Sequence, residues 1–121
     1  MLQRFLEHKT VLLVEDDPLQ AIEYCEWLCE AGAKVVGPFQ SVSRAMLALE
    51  RVNLDAAVVD FGLADKNSSS LQDALEERNI PFVVITGYPG VLVRRSQCQK
   101  VIAKPLDSDT LCVSVRRLCN P

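Results

Sequence analysis

The sequence contains few aromatic residues, a single histidine and no excess of basic residues. Aromatic residues make up 6% of the 121 positions, whereas hydrophobic residues in total make up 49%, so we expect a core built mainly from aliphatic side chains. The formal net charge is −3, and the only adjacent basic pairs are Arg94-Arg95 and Arg116-Arg117. Because a nucleic-acid-binding surface needs clustered lysine and arginine, we expect no direct binding to nucleic acid.

The five cysteines form no Cys-x-x-Cys pair, and the only histidine, His8, has no cysteine at a zinc-ligand spacing. We therefore expect His8 at the surface and most cysteines as small core residues in a reducing compartment. Cys25 and Cys29 are predicted to share one helix, and Cys112 and Cys119 another. No apolar run approaches the length of a membrane span, and the N-terminus is too charged for a signal peptide. The sequence predicts a cytoplasmic protein with no membrane attachment.

Five short apolar runs alternate with helical segments along the chain. The predicted strands are Thr10–Val14, Lys34–Val36, Asp55–Asp60, Phe82–Ile85 and Val101–Ala103. Such alternation predicts a single α/β domain over residues 1–121, with a doubly wound parallel sheet and helices on both faces. In sheets of this kind the ligand site lies at the carboxyl ends of the strands.

Capping signals mark the helices between these strands. The first helix is predicted to begin at Pro18, with Asp17 as its N-cap, and to run to about Ala31. Its apolar face is predicted to contain Leu19, Ile22, Leu28 and Cys29. Further predictions are an N-cap at Ser41, a capping box of Ser70 with Asp73, a short helix over residues 91–97, and an N-cap at Asp107 or Ser108.

Four predicted strands end at polar or charged residues: Glu15 and Asp16, Asp60, Thr86, and Lys104. Because parallel strands place their carboxyl ends at one edge, we expect these side chains to meet. Three carboxylates together repel one another unless a cation lies between them, and oxygen ligands suit Mg²⁺. With an ammonium and a hydroxyl group added, the set predicts a phosphoryl-transfer site in which Asp60 is the nucleophile.

Each feature also has a simpler explanation. Asp17 is more easily explained as a helix cap than as a ligand. Glu15 and Asp16 could be negative charges placed favourably near a helix N-terminus. Thr86-Gly87 could be only a turn, and Lys104-Pro105 only the exit from a strand. The occurrence of all four at the same end of their strands favours the site.

The combined pattern resembles the receiver domain of bacterial two-component response regulators, from Thr10 to about Cys119. Receivers carry an acidic pair after strand one, a phospho-accepting aspartate after strand three, a threonine or serine after strand four and Lys-Pro after strand five. The resemblance implies a flavodoxin-like (βα)5 fold with strand order 2-1-3-4-5. It also implies a cis Lys104-Pro105 bond, and it assigns a phosphoacceptor that acts only on itself and is not a turnover enzyme.

The resemblance further implies a set of roles for the residues of the site. Asp60 takes a phosphoryl group from a histidine kinase or a histidine phosphotransfer protein, with Mg²⁺ as the required cofactor. Asp16 and Asp60 bind the ion directly, Glu15 acts through water, and the backbone carbonyl of Gly62 completes the protein ligands. Lys104 pairs with Asp60 or its phosphoryl group, and Thr86 moves to bind that group, which changes a protein-interaction surface.

The sequence departs from the receiver pattern in three places. Ala64 stands where receivers usually have proline, the span between Asp60 and Thr86 is short, and Val101 stands where an aromatic switch residue is common. Tyr88 is the candidate substitute, because Thr86-Gly87-Tyr88 resembles a receiver subgroup often found as stand-alone domains. A stand-alone regulator and a receiver from a hybrid kinase both stay open, as do the downstream partner and a homodimer.

Two other functions compete with phosphorylation in a relay. One is a receiver-like interaction module that binds its partner without being phosphorylated, which the departures from the pattern favour. The other is a small phosphatase with an aspartate nucleophile, similar to haloacid-dehalogenase-like enzymes. Those enzymes carry Asp-x-Asp after the first strand, whereas this chain has Glu15-Asp16-Asp17 and little room for their additional elements.

Overall fold

The computed structural model describes residues 6–60, 68–87 and 99–119, and for Ser68 it describes only the backbone. The strands are β1 (Thr10–Val14), β2 (Lys34–Phe39), β3 (Ala56–Asp60), β4 (Phe82–Thr86) and β5 (Gln99–Ala103). The described helices are α1 (Pro18–Glu30), α2 (Val42–Arg51), α3 (Ser68–Glu77) and α4 (Ser108–Cys119). The predicted helix over residues 91–97 lies outside the described residues.

The five strands form one parallel sheet in the order β2-β1-β3-β4-β5, which confirms the predicted flavodoxin-like topology. Strands β3 and β4 are buried along their whole length, as expected for central strands covered on both faces. One apolar cluster includes the buried apolar residues of α2 and α3, and a second includes Tyr24 and Leu28 of α1 with the buried residues of α4. Because helices cover both faces of the sheet, the polar groups that follow the strands lie at its carboxyl edge.

Helix α1 begins where the sequence predicts, but it turns a different face toward the sheet. Asp17 is its N-cap, and the Asp17 Oδ1 atom accepts a hydrogen bond from the backbone N–H of Leu19 at 3.0 Å. The buried residues of α1 are Ala21, Tyr24 and Leu28. Leu19 and Ile22 are 78% and 56% exposed, and Cys29 is exposed too, so the predicted apolar face was wrong except for Leu28. Residues spaced three and four apart form one stripe of a helix, and positions 21, 24 and 28 form the stripe that contacts the sheet.

Several other boundaries differ from the predicted ones. Strand β2 continues through Gly37-Pro38 to Phe39, with an irregular register against β1 between Leu12 and Val14. Gly37 there adopts a φ of +114°, which only glycine takes easily. Any side chain there would meet the backbone oxygen of Leu13, since a Cβ atom would lie 2.7 Å from it. Helix α3 begins at Ser68, so Ser70 lies within the helix and is not its N-cap.

The N-cap of α4 is Asp107, whose Oδ1 atom accepts a hydrogen bond from the backbone N–H of Thr110 at 2.8 Å. Ser41 caps α2 as predicted. Two further strand boundaries differ slightly from the predicted ones. Strand β4 extends to Thr86 instead of Ile85, and β5 begins at Gln99 instead of Val101.

The cysteines lie on the predicted helices, but most of the four described are not core residues. Cys25 and Cys29 belong to α1, and Cys112 and Cys119 belong to α4. Only Cys112 is buried; Cys29 is exposed, and the other two are half-buried. His8 is exposed, as predicted. Within the described part of the chain, no helix is long and apolar enough to cross a membrane.

Candidate functional site

The carboxyl edge of the sheet brings together the three acidic residues Glu15, Asp16 and Asp60. One carboxylate oxygen from each lies within 4.8 Å of the others. Strand pairing explains this proximity, because Val14 of β1 lies beside Val59 of β3 and the next residue of each chain segment is acidic. Glu15 and Asp60 are buried, whereas Asp16 is half-buried.

Lys104 follows the edge strand β5 and joins this cluster at the same carboxyl edge of the sheet. Its Nζ atom lies 2.8 Å from the Oδ2 atom of Asp60 and donates a hydrogen bond to it. The backbone N–H of Lys104 donates to the carbonyl of Thr86 at 2.7 Å, and the Lys104-Pro105 peptide is cis, as predicted. Burial lowers the pKa of Lys104, but the hydrogen bond and negative charge of Asp60 outweigh it and raise the pKa overall, so the amine stays charged.

The carboxyl group of Glu15 lies in a strongly perturbed environment. Burial, followed by the contact with Asp60, raises its pKa to about 8. Its Oε2 atom accepts a hydrogen bond from the backbone N–H of Asp17 at 3.1 Å. Its Oε1 atom is buried without a hydrogen-bond donor among the described residues. A hydrated cation would relieve both features, because it would attract the ionised carboxylate and its bound water would supply the missing partner for the oxygen.

The donor set therefore fits a hard divalent cation such as Mg²⁺. All three side chains offer carboxylate oxygens, which are the ligands that Mg²⁺ prefers. The half-buried Asp16 leaves one side of the cluster accessible, as a partly hydrated ion that also binds phosphate requires. Gly62, the fourth expected ligand, lies outside the described residues.

Thr86 is the last residue of β4, where it is 1% exposed and lies beside Ala103 in the sheet. This places it on the strand between the ones that carry Asp60 and Lys104, so the three residues come from adjacent strand ends. Val101, at the position where receivers often have an aromatic residue, is 41% exposed. Tyr88, the candidate substitute, lies outside the described residues.

A cavity of about 430 Å³ opens beside Lys104, between helix α1 and the segment that follows β5. Its lining residues are Gln20, Glu23, Tyr24, Lys104, Pro105 and Leu106. The Tyr24 hydroxyl donates a hydrogen bond to the Gln20 Oε1 atom at 3.0 Å. The sequence prediction missed Gln20 and Tyr24, although their spacing of four within a helix was a signal that their side chains could meet.

Comparison with known proteins identifies the family. No family model and no curated protein matches the chain. Among solved structures, SdrG from Sphingomonas melonis Fr1 is 30% identical with a TM-score of 0.77, and the match covers 91% of this chain and 95% of that one. A response regulator receiver protein from Sinorhizobium medicae WSM419 is 25% identical with a TM-score of 0.77, covering 95% and 97%. This chain belongs to the response regulator receiver family.

Longer proteins also contain this receiver fold. The anti-anti-sigma factor PhyR from Bartonella quintana is 23% identical with a TM-score of 0.79; the match covers 96% of this receiver but only 51% of PhyR. The receiver thus spans about half the length of that protein, and at this identity the likeness shows the fold alone.

Proposed function

We propose that this receiver accepts a phosphoryl group on Asp60 as a step in a two-component phosphorelay. The observation that carries the proposal is the placement of Asp60: it is 4% exposed, it pairs with Lys104 at 2.8 Å, and it lies in an all-oxygen cluster with Glu15 and Asp16. A buried carboxylate beside a fixed cation and a metal-type donor set suits nucleophilic attack on phosphorus better than a purely structural ion pair.

The donor would be a phosphohistidine on a histidine kinase or a histidine phosphotransfer protein. A carboxylate oxygen of Asp60 attacks phosphorus and forms an O–P bond, while the P–N bond to the donor breaks. The electron pair of that bond stays on the imidazole nitrogen, which takes up a proton. The Lys104 amine, already beside Asp60, would stabilise the negative charge of the phosphoryl oxygens.

Mg²⁺ is the proposed cofactor, and its chemistry would be to offset charge on the phosphoryl oxygens. Asp16 and Asp60 would hold it directly, Glu15 through water, and the Gly62 carbonyl would complete the protein ligands. No turnover of a separate substrate is proposed, since the receiver would catalyse only its own phosphorylation and dephosphorylation.

The surface next to the site supports docking of a protein donor. Leu19 and Ile22 are large apolar side chains on α1 that are exposed to solvent, and both lie close in sequence to Gln20 and Glu23 in the wall of the cavity beside Lys104. A helical partner could cover these apolar residues while it brings its histidine to Asp60. Such a partner would work in the cytoplasm, where we propose that the receiver acts.

Phosphorylation would be read out through Thr86, which is buried at the end of β4. Its hydroxyl is proposed to move toward the phosphoryl group and so to favour one of two surface conformations, with Tyr88 as the second switch residue. The downstream protein that would recognise the surface is left open, and so is a homodimer.

Intact-mass spectrometry with acetyl phosphate tests the phosphoacceptor. We expect the mass of one phosphoryl group to be added in the presence of Mg²⁺, and we expect no addition in Asp60→Asn. Glu77→Gln is the matched control, because Glu77 is an exposed residue at the end of α3 that leads into the start of β4, toward the edge of the sheet opposite the cluster, and it should be labelled as in the wild type. Absence of labelling by acetyl phosphate and by phosphorylated phosphotransfer proteins would contradict the proposal.

A receiver-like module that works without phosphorylation is the second candidate. Val101 favours it, because this exposed valine stands at the position where receivers commonly have the aromatic residue that couples phosphorylation to the surface. Under this alternative, Asp60→Asn would bind the partner and signal like the wild type.

A further inference from the structure

A continuous chain of hydrogen bonds leads from the wall of the cavity to the acidic cluster. The Tyr24 hydroxyl donates to the Gln20 Oε1 atom at 3.0 Å, and the Gln20 Nε2 atom donates to the Asp17 Oδ2 atom at 3.2 Å. The backbone N–H of Asp17 then donates to the Glu15 Oε2 atom at 3.1 Å. Four residues on α1 and the loop before it are thus linked, and the last of them belongs to the candidate cation site.

The direction of this chain follows from the chemistry of its members. A carboxylate can only accept hydrogen bonds, so the Gln20 amide must turn its NH₂ group toward Asp17 and its oxygen toward Tyr24. Burial, together with the charges of Glu15 and Asp60, raises the pKa of Tyr24, so its hydroxyl keeps the proton that it donates to Gln20. The Tyr24 hydroxyl and the Gln20 amide therefore donate in the same direction, toward Asp17, and because the amide both accepts and donates, these two hydrogen bonds polarise each other. The backbone N–H of Asp17 then donates to Glu15.

Tyr24 is anchored well enough to act as the fixed end of the chain. It is 3% exposed and belongs to the apolar cluster beneath α1, and its ring lies 5.5 Å from that of Trp27. The core would be filled equally well by phenylalanine at this position, so packing alone does not explain the hydroxyl. The hydroxyl instead serves the polar chain.

Asp17 connects Gln20, and through it Tyr24, to Glu15. Its side chain is held twice, by the N–H of Leu19 as the helix N-cap and by the Gln20 amide. Its own backbone N–H donates to the Glu15 Oε2 atom, while the Oε1 atom of that carboxyl group is buried with no hydrogen-bond partner among the described residues. The orientation of that carboxyl group therefore depends on the position of Asp17.

We propose that Tyr24 is a positioning residue for the cation site: through Gln20 and Asp17, it holds the Glu15 carboxyl group toward Asp16 and Asp60. This inference rests on the proposed function, since it gives Mg²⁺ the role described there. It adds a residue in the core of the fold to those that set the affinity for the ion. Outer partners of metal ligands commonly have such a role.

Isothermal titration of Mg²⁺ into the full chain tests the inference without any phosphoryl donor. We expect Tyr24→Phe to weaken Mg²⁺ binding by up to about 10-fold, the lower end of effects seen for outer partners of metal ligands. Gln20→Ala should weaken it to a similar extent, because it breaks the same chain. Trp27→Phe is the matched control: it alters the aromatic contact with Tyr24 but leaves the chain intact, and its affinity should equal that of the wild type.

A double-mutant cycle separates positioning from a general loss of structure. In a Glu15→Ala background, where the last acceptor of the chain is absent, Tyr24→Phe should have no further effect on Mg²⁺ affinity. An equal loss of affinity in both backgrounds, or unchanged binding in Tyr24→Phe, would overturn the inference. Circular dichroism and urea unfolding in EDTA would verify that each variant is folded.

The outcomes also distinguish this inference from the proposed function. If Asp60 is phosphorylated and Tyr24→Phe binds Mg²⁺ like the wild type, the positioning role is wrong and the phosphoacceptor role stands. If no donor phosphorylates the wild type, the phosphoacceptor role is wrong, and the titration still decides whether Tyr24 acts on Glu15.

Discussion

The Nζ atom of Lys104 lies 2.8 Å from the Oδ2 atom of Asp60, although 44 residues separate them in the chain. The two residues follow strands β5 and β3, and strand β4 lies between those strands in the sheet. The long lysine side chain therefore reaches across one strand end to the aspartate. Since Asp60 is buried, this ammonium compensates the charge of its carboxylate.

Removal of the Lys104 charge should destabilise the protein and reduce phosphorylation. Lys104→Met leaves the buried Asp60 carboxylate without its ammonium partner, at a cost of about 1–3 kcal/mol in the free energy of unfolding. Urea unfolding at neutral pH measures this cost. Lys100→Met, an exposed change on the same strand, should have little effect. In the double variant with Asp60→Asn most of the loss should disappear, and an undiminished loss would show that the ion pair is not its cause.

Glu15 should make the metal-free protein less stable as the pH rises. Its pKa is about 8 in the folded protein, against 4.5 for the unperturbed group, so the folded state holds this proton longer than the unfolded state does. The contribution to stability is complete below the lower value and is lost as the pH rises through the upper one, by roughly 1.4 kcal/mol for each pKa unit of difference.

Glu15→Gln should abolish this pH dependence, because glutamine does not titrate. Urea unfolding in EDTA at several pH values between 4.5 and 8 would compare the variant with the wild type. The advantage of the variant should grow toward the alkaline end. A constant difference across the range would show that Glu15 keeps an ordinary pKa in the folded protein.

Mg²⁺ should stabilise the folded protein through the acidic cluster. At an ion concentration ten times the dissociation constant, the expected gain is about 1.4 kcal/mol, because the ion binds the folded state and not the unfolded one. Asp16→Asn removes a proposed direct ligand and should suppress this gain. Thermal unfolding with and without Mg²⁺ measures it, and Glu26→Gln, an exposed change on α1, should keep the wild-type response. Equal stabilisation of Asp16→Asn would place the ion elsewhere.

Two leucines of α1 should respond very differently to truncation. Leu28 is fully buried in the core beneath α1, so Leu28→Ala should cost about 2–5 kcal/mol in the free energy of unfolding. Leu19 is 78% exposed, so Leu19→Ala should change stability by less than about 0.5 kcal/mol. Chemical unfolding of the two variants is the test. A comparable loss in both would contradict the orientation of the helix.

The sequence predicted the architecture well because the signals for it are local. Each strand is a short run of β-branched and small apolar residues, and the strict alternation with helices permits few topologies. The N-caps Asp17, Ser41 and Asp107 were also predictable, since a cap acts on the backbone within three residues. The start of α3 was not, because several serines in that segment could each begin a helix.

The orientation of α1 depended on the rest of the fold. Leu19 and Ile22 are as apolar as Leu28, so residue type alone does not say which face packs against the sheet. In the fold, the stripe of Ala21, Tyr24 and Leu28 is the one that faces inward. Leu19 and Ile22, near the start of the helix, stay exposed to solvent.

The sequence by itself determined which polar groups stand at the carboxyl ends of the strands, because strand ends and residue types are local properties. Only the tertiary structure decided how these groups meet. The proximity of Glu15, Asp16 and Asp60 and the reach of Lys104 depend on strand order and side-chain direction. The burial of Tyr24 depends on the way α1 packs against the sheet, a choice that is made by contacts between residues far apart in the chain, whereas the hydrogen bonds that link Tyr24 to the cluster join residues close in sequence.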